Sequence, residues 1–401
     1  MKYKGLVAGS LAFGAFLLGN VAANAQNYKT LHEKAIVVDT HNDVLISVLE
    51  GLDIAKDLTG KTHSDLARFK KGGVDVQIFS VWSDETYGMG RGFNFAKLQI
   101  DTLNAIAARN PDKMVVVKTP EELLKTVKLK KMAAMIGVEG GHMIEDNLSY
   151  LDELYNRGAR YMTLTWNNST SWASSAKDEA EGTVPNAKKG LNDFGRQVVQ
   201  RMNELGMMVD LSHVGEQTFW DAIQTTTKPV IVSHSCVHGI NPHFRNLNDE
   251  QIKAVGKNGG VIHLNFFSGF LDPAFEKRQK AFMTRHQAEI DSLRQLNKSR
   301  DEIAVWAANA YPQEAADLRP PLALLLDHLD HIVKLVGVDH VGLGSDFDGI
   351  TSTPKQLDSV ADMPLITKEL LARGYSKKDI EKILGGNFLR LFRENSKVQK
   401  S

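Results

Sequence analysis

Two short segments near opposite ends of the chain carry side chains that can bind a metal ion. His41 and Asp43 follow an extended apolar run in AIVVDTHND. Side chains of a strand alternate between its two faces, so residues two positions apart point the same way. An imidazole and a carboxylate on one face, at the end of a strand, suit a divalent cation. Near the other end, GSDFDG places Asp346 after a second apolar run.

Three further candidate ligands also end apolar runs, namely Glu139 in MAAMIGVE, His213 in MMVDLSH and His234 in PVIVSH. Imidazole and carboxylate without thiolate favour zinc, with manganese, cobalt and iron as alternatives. Five ligating groups exceed what one tetrahedral catalytic zinc needs. A carboxylate can bridge two cations, and Glu139 is the predicted bridge. Two metals about 3.5–4 Å apart can hold a hydroxide nucleophile between them at neutral pH. Asp346 is then placed to carry the proton to a leaving amine.

Eight apolar runs separated by helix-like segments must position these side chains. Most of the runs are continuously apolar, as in strands buried on both faces. The runs cover 35–41, 74–82, 132–139, 159–166, 207–213, 229–234, 260–267 and 340–346. Alternating strands and helices of this number predict a (β/α)8 TIM-type barrel, in which the carboxyl ends of the strands converge at one rim. A doubly wound open sheet is the less favoured alternative, because no glycine-rich phosphate loop follows the first run.

One segment interrupts the alternation. Residues from about 270 to 318 are charged and have helical periodicity, which predicts a helical insertion before the last strand, over the barrel top or at an oligomer contact. No repeat or linker divides the chain, so residues 26–401 are predicted to form a single catalytic domain.

The N-terminal residues have the pattern of a secretory signal. Lys2 and Lys4 precede the apolar stretch LVAGSLAFGAFLLGNVA and then Ala23-Asn24-Ala25, which predicts a signal peptide over residues 1–25 and export to the periplasm or beyond the cell. A membrane anchor is less favoured, because the stretch is short and interrupted by glycine. We therefore expect no stable membrane span after cleavage.

Charge and cysteine content exclude several classes of protein. Lysine plus arginine equals aspartate plus glutamate at 48 each, so the chain lacks the basic surplus of a nucleic-acid-binding protein. Cys236 is the only cysteine, which excludes an intramolecular disulfide and a thiolate-rich zinc site.

The ordered motifs resemble the membrane dipeptidase (renal dipeptidase) family of zinc metallopeptidases. They are VDTHND, GVEGG, MTLTW, DLSH, IVSHS, FRN and GSDFDG, and they extend from about Ala35 to Phe392. Related amidohydrolases typically begin with His-x-His rather than His-x-Asp. The resemblance implies a (β/α)8 barrel with two zinc ions, and a homodimer.

The resemblance also implies a role for each matching residue. His41, Asp43 and Glu139 would bind one zinc, and Glu139, His213 and His234 the other, with Glu139 bridging. Asp346 would be the catalytic acid/base. Arg245, in HFRN, would bind the carboxylate of the substrate, a role that suits its bidentate fork.

One position departs from the family pattern. The better-known members carry a histidine after the Thr-Leu-Thr run, where this chain has Trp166 in TLTWNN. Tryptophan has a single N–H donor and no charge, so Asn167, Asn168 or another group would have to contact the oxyanion. The substitution keeps a second hypothesis open, in which the substrate is another small amide, a lactam or a lactone. A third is an exported peptide-binding relative without catalysis, but Asp346 argues against it because a binding module needs no spare acid.

Overall fold

The strands of the protein form one parallel sheet in the computed structural model, which describes residues 28–185, 188–298 and 300–397. The predicted signal peptide lies outside the described residues. The strands are β1 Val38–Asp39, β2 Val76–Trp82, β3 Met114–Val116, β4 Met132–Glu139, β5 Ala159–Thr163, β6 Met208–Asp210, β7 Ile231–Ser235, β8 Val261–Leu264 and β9 Val341–Leu343.

Eight of these strands form a (β/α)8 TIM-type barrel. They follow the order β1-β2-β4-β5-β6-β7-β8-β9, and every pairing is parallel. The first and last strands meet where Thr40 donates its N–H to the carbonyl of Leu343 at 3.1 Å and Asn42 pairs with Phe347. The predicted barrel is therefore confirmed, and each predicted run overlaps one of its strands. The sequence reasoning missed β3, which pairs with the start of β4 outside this order.

Helices follow or precede almost every strand. They are α1 over residues 28–34, α2 Val44–Leu49, α3 Leu66–Lys71, α4 Gly92–Arg109, α5 Pro120–Lys128, α6 Leu148–Arg157, α7 Ala176–Glu181, α8 Asp193–Leu205, α9 Glu216–Thr225, α10 Asp249–Asn258, α11 Ser268–Leu271, α12 Phe275–Arg285, α13 Gln287–Gln295, α14 Arg300–Ala310, α15 Pro312–Leu318, α16 Leu322–Val336, α17 Pro364–Ala372, α18 Lys377–Glu381 and α19 Asn387–Ser396. Short 3-10 turns cover Gly141–Ile144, Val338–His340 and Val360–Asp362, and a π-helical turn covers Lys382–Gly386. None of the helices in the described parts of the chain combines the length and the apolar character needed to cross a bilayer.

Local sequence signals explain where several helices start and stop. The Asn248 side chain accepts from the backbone N–H of Gln251, whose side chain in turn accepts from the N–H of Asn248, a capping box that starts α10. The helix ends at Gly259 with φ +83°, a left-handed conformation that glycine adopts without strain. Gly206, with φ +80°, ends α8 in the same way two residues before β6. These turns aim the following strands into the sheet.

The end of the barrel remote from the carboxyl ends of the strands is filled by apolar side chains. Val76, Met135 and Tyr161 belong to one buried cluster together with Phe388 and Phe392 of α19. Tyr161 is fully buried, and the absence of a side chain at Gly137 makes room for it, because a Cβ there would lie 2.0 Å from Tyr161 Cζ. The C-terminal helix thus supports the floor beneath the rim.

Helices α11 to α15 lie between β8 and α16, where the sequence predicts the helical insertion. Residues of α12 reach both the rim of the barrel and the neighbouring cavity described below. The segment is therefore placed to shape whatever enters the barrel mouth.

Candidate metal centre

The five predicted ligands come together at the carboxyl rim of the barrel. Glu139 is the last residue of β4, and His234 lies in β7. His41 and His213 follow β1 and β6 by two and three residues. All of them are buried, as is Asp43. In a parallel barrel the carboxyl ends of all the strands lie at one rim, so the residues that follow them come close together.

Two of the rim residues hold a strained backbone. His213 has φ +63° and Asp346, three residues after β9, has φ +62°. Residues with a Cβ rarely adopt this left-handed conformation, and such strain concentrates at functional sites. The surrounding barrel therefore fixes these two side chains against a local preference.

Glu139 lies at the centre, and its two oxygens face two different sets of groups. Oε2 is 3.2 Å from Nε2 of His41. Oε1 is 2.9 Å from Nε2 of His213 and 3.4 Å from Nε2 of His234. Ser80 Oγ donates to Oε2 at 3.1 Å and orients the carboxylate. This division of the two oxygens is the geometry that a bridging carboxylate requires.

Two further carboxylates stand on the His41 side. Oδ2 of Asp43 is 3.4 Å and Oδ1 of Asp346 is 3.9 Å from His41 Nε2. Oδ1 of Asp43 is buried and has no hydrogen-bond partner, whereas Oδ2 of Asp346 accepts from Asn265 at 2.7 Å. The ligand atoms of His41, Asp43 and Asp346 all lie within 4.8 Å of one another, as do those of His41, Glu139 and His234.

Hydrogen bonds behind His41 and His234 fix which ring nitrogen carries the proton. The Tyr161 hydroxyl donates to the carbonyl of Thr40 at 3.1 Å, so it must accept from Nδ1–H of His41 at 2.9 Å. Ser233 Oγ donates to Asp210 at 2.6 Å and accepts from Nδ1–H of His234 at 2.8 Å. Burial lowers the pKa of His234 well below its usual range, so this ring is neutral and its Nε2 is an unprotonated lone pair near Glu139. Burial would also lower the pKa of His41, but Tyr161 and the carboxylates of Glu139 and Asp43 raise it well above its usual range, so Nε2 of His41 also carries a proton, which a metal ion would displace.

The third imidazole is held in the same way. Nδ1 of His213 is 3.1 Å from Oδ1 of Asn167, an acceptor, so Nδ1 carries the proton. Ligating histidines almost always donate their other nitrogen to such a partner.

The donor set of this cluster fits divalent cations. The Nε2 atoms of His213 and His234 are 2.9 Å apart. By the assignment above, each of these atoms carries a lone pair and no proton. Nε2 of His41 faces the carboxylates of Glu139 and Asp43. Facing lone pairs repel each other unless a cation lies between them, and three imidazoles with carboxylates are zinc-type ligands.

Burial and the neighbouring charges shift the pKa values of the residues in this cluster. Burial lowers the pKa of His213, and nearby Arg245 adds to this, so that the value falls to about 4. The imidazole is therefore neutral at neutral pH, as a ligand must be. Burial raises the pKa of Asp346 well above its usual range, and the charges of Asp43 and Glu139 add to the effect. Burial would also raise the pKa of Glu139, but the positive charge of His41 holds it well below its usual range.

A cavity of about 510 Å³ opens above the cluster. Arg245 lines it and is buried, with Nη2 donating to the carbonyl of His234 at 3.3 Å and Nε without a partner. Its guanidinium lies 5.3 Å from the centroid of Phe270. Burial lowers its pKa to about 10, so the group stays cationic at neutral pH. A buried cation with an unused donor can bind an anionic group of a ligand.

Trp166 and Asn167 also line the cavity. Trp166 packs edge-to-face on Trp82, with ring centroids 5.1 Å apart, so its indole forms a fixed wall. Oδ1 of Asn167 accepts a hydrogen bond from Nδ1 of His213. Lys177 also lines the cavity, and the sequence reasoning did not single it out.

Several supporting residues were also missed by the sequence reasoning. Tyr161 contacts His41, Asn265 contacts Asp346, and Asp210 accepts from Ser233, the residue that supports His234. Asn265 did carry a usable signal, since it is a polar residue immediately after the strand β8. Tyr161 carried none, because a tyrosine inside an apolar run is indistinguishable from ordinary core.

The parallel barrel with imidazoles and carboxylates at its carboxyl rim defines the class of metal-dependent barrel hydrolases. The model of one family, described as membrane dipeptidase (Peptidase family M19), matches residues 25–401. The chain belongs to this family. It is therefore a metallopeptidase that hydrolyses peptide bonds and uses a metal cofactor.

Two curated relatives are similar over most of the chain. A protein of Schizosaccharomyces pombe named as an uncharacterized dipeptidase is 32% identical over 394 residues, which cover 93% of this chain and 83% of the yeast protein. Mouse Dipeptidase 3 is 28% identical over 371 residues, which cover 91% of this chain and 65% of the mouse protein.

Solved structures share the fold. The probable dipeptidase PvdM from Pseudomonas aeruginosa has a TM-score of 0.76 at 24% identity, covering 94% of this chain and 99% of that one. A metallopeptidase from Rhodobacter sphaeroides, bound to a phosphinate mimic of the dipeptide L-Ala-D-Ala, has a TM-score of 0.73 at 23% identity, covering 90% of this chain and all of that one.

Proposed function

We propose that the protein is an exported zinc dipeptidase that cleaves the single peptide bond of small dipeptides. The observation that carries the proposal is the set of three imidazole Nε2 atoms that lie within 3.4 Å of the two oxygens of Glu139. The ligand set favours zinc, because it consists of imidazoles and carboxylates without thiolate.

Two cations would divide the ligands between them. His41, Asp43 and Glu139 would hold one, and Glu139, His213 and His234 would hold the other. Zinc ions bound there would lower the pKa of a water molecule towards neutrality and polarise the peptide carbonyl. The supporting contacts of Tyr161 and Ser233 keep the imidazoles in register during turnover.

Asp346 carries the proton. Asn265 holds Oδ2 of the Asp346 carboxylate, while Oδ1 is 3.9 Å from Nε2 of His41 and faces the cluster. From there it accepts the proton of the attacking water at Oδ1 and delivers it to the leaving amine.

Arg245, Trp166 and Asn167 bind the substrate. The carboxylate of the dipeptide pairs with the buried guanidinium of Arg245, which supplies orientation as well as charge. Trp166 walls the reacting bond from solvent. Asn167 has a side-chain Nδ2 group with no hydrogen bond among the described residues, and it donates to the carbonyl oxygen as charge develops there. The phosphinate mimic of a dipeptide bound to the Rhodobacter sphaeroides enzyme supports this substrate class.

Trp166 also favours a second candidate, the hydrolysis of another small amide such as a lactam. A tryptophan at this position widens the apolar wall and removes a charged donor. Competition between dipeptides and lactams at equal concentration distinguishes the two candidates.

Export and assembly complete the proposal. Residues 1–25 have the pattern of a signal peptide, and an exported protein would begin at Gln26. An intact mass that includes Met1 would contradict this. We also propose a homodimer, which sedimentation of the purified protein tests directly.

Metal analysis of the mature protein, combined with a dipeptide panel, tests the enzymatic proposal. We expect close to two zinc ions per chain, hydrolysis of dipeptides, and loss of both on chelation, with recovery when zinc is returned. Hydrolysis that survives complete chelation, or tight dipeptide binding without product, would contradict it.

A further inference from the structure

A second cavity, of about 710 Å³, lies next to the one above the metal centre. Both cavities are bounded by Phe275, Gln279 and Thr351, so they share a wall. We name the second cavity the annex. Its remaining walls come from α12, α14 and α15, from residues 351–353, and from five polar residues at its edge, which are His63, Arg294, Lys298, Arg319 and Asp358.

The lining of the annex is predominantly apolar. Phe282 and Ile303 are buried, and Met283 and Leu318 complete the same walls. Alanines on α14 and α15 keep the space open, since larger side chains at these positions would fill it. Those that line it are Ala304, Ala307, Ala308, Ala315 and Ala316.

The charged groups at the edge of the annex already have partners. Arg294 pairs with Asp291 at 3.1 Å, and Lys298 pairs with Glu302 at 2.6 Å. Arg319 pairs with Asp358 at 2.6 Å and donates Nε to the carbonyl of Thr353 at 2.8 Å. Nδ1 of His63 accepts from the backbone N–H of Asp348 at 3.0 Å. An apolar occupant therefore fits the annex better than a polar one, which would find these groups committed.

The position of the annex relates it to one end of the substrate. Gly349, Ile350 and Thr351 continue from Asp346 along the cavity wall towards the annex. Arg245 lies instead against the carbonyl of His234. A dipeptide whose carboxylate pairs with Arg245 directs its amino-terminal residue towards the Asp346 side.

We propose that the annex receives a long apolar side chain on the amino-terminal residue of the dipeptide. The inference rests on the proposed function and adds a substrate class to it. A cavity of the size found over the metal centre accommodates a simple dipeptide, whereas the annex adds room for an elongated chain.

The test compares alanyl-glycine with 2-aminodecanoyl-glycine, each racemic at the first residue. Burial of a methylene is worth about 0.8 kcal/mol, or roughly fourfold in binding. We expect kcat/KM for the long-chain substrate to exceed that for alanyl-glycine by at least about tenfold. Equal values for the two substrates would overturn the annex proposal and leave the proposed function standing. Hydrolysis of neither would count against the proposed function itself.

Substitutions that replace an alanine of the annex wall by leucine fill the cavity, and they can be compared with a control substitution outside it. Ala304→Leu and Ala315→Leu are expected to reduce the preference for the long chain at least about fivefold and to leave the hydrolysis of alanyl-glycine unchanged. Ala310→Leu is the control, because Ala310 is exposed at the end of α14 and does not line the annex. A preference that survives both filling variants, or that is lost equally in the control, would overturn the proposal.

Discussion

The two ends of the barrel are built from opposite kinds of residue. At the carboxyl rim, buried imidazoles and carboxylates face one another, and His213 and Asp346 hold a left-handed backbone. At the opposite end, Phe388 and Phe392 of α19 pack against strand residues without such charges. The comparison shows that the carboxyl rim holds strained backbone and buried charges, which lower stability locally. Apolar burial at the opposite end compensates for this cost.

The largest effect is expected from the centre of the rim. Glu139→Ala removes the group that both sets of imidazoles face, so zinc binding falls below two ions per chain and dipeptide hydrolysis is abolished. Elemental analysis and an activity assay on the same sample check this. Thermal unfolding should show a folded protein. A variant that keeps both ions and its activity would remove Glu139 from the centre of the account.

The next largest effect concerns the proton. Asp346→Asn keeps the size of the side chain but removes its basicity, so kcat is expected to fall about 10²- to 10⁴-fold. Metal content should stay the same. Loss of an ion in this variant would mean that Asp346 is a ligand, a role that its distance to His41 also permits.

The apolar end should respond in stability alone. Phe392→Ala deletes a fully buried ring and is expected to lower the free energy of unfolding by about 3–5 kcal/mol. The value of kcat per metal-loaded chain should not change, because the ring lies at the other end of the barrel from the ligands. Denaturant titration and steady-state kinetics below the unfolding transition check the two halves. A fall in kcat with an unchanged unfolding midpoint would contradict the claim that the apolar end supports stability and not catalysis.

Tyr161 joins the two ends, and its effect is expected to be the smallest. It belongs to the apolar cluster, yet its hydroxyl accepts from His41. Tyr161→Phe keeps the ring and should weaken metal affinity about 10- to 100-fold, as loss of the group behind a ligating histidine does. Competition with a chelator of known affinity measures this. Unchanged affinity would show that His41 needs no partner at Nδ1.

The sequence predicted the rim better than the support beneath it. His41, Glu139 and His234 could be proposed as candidates because a polar residue at the end of an apolar run stands out against its neighbours. The contacts of Tyr161 and Asp210 were not predictable, because they join residues distant in sequence that only the closed barrel brings together. The annex was equally hidden, since alanines in a helix do not indicate an empty space. β3 was missed because its three residues are too few for a periodicity to show.

Anomalous X-ray diffraction at the zinc edge, on crystals of the mature protein, tests the central claim most directly. The account predicts two peaks on either side of Glu139, one bonded to His41 and Asp43 and the other to His213 and His234. A single peak, or two peaks that do not share Glu139, would contradict it.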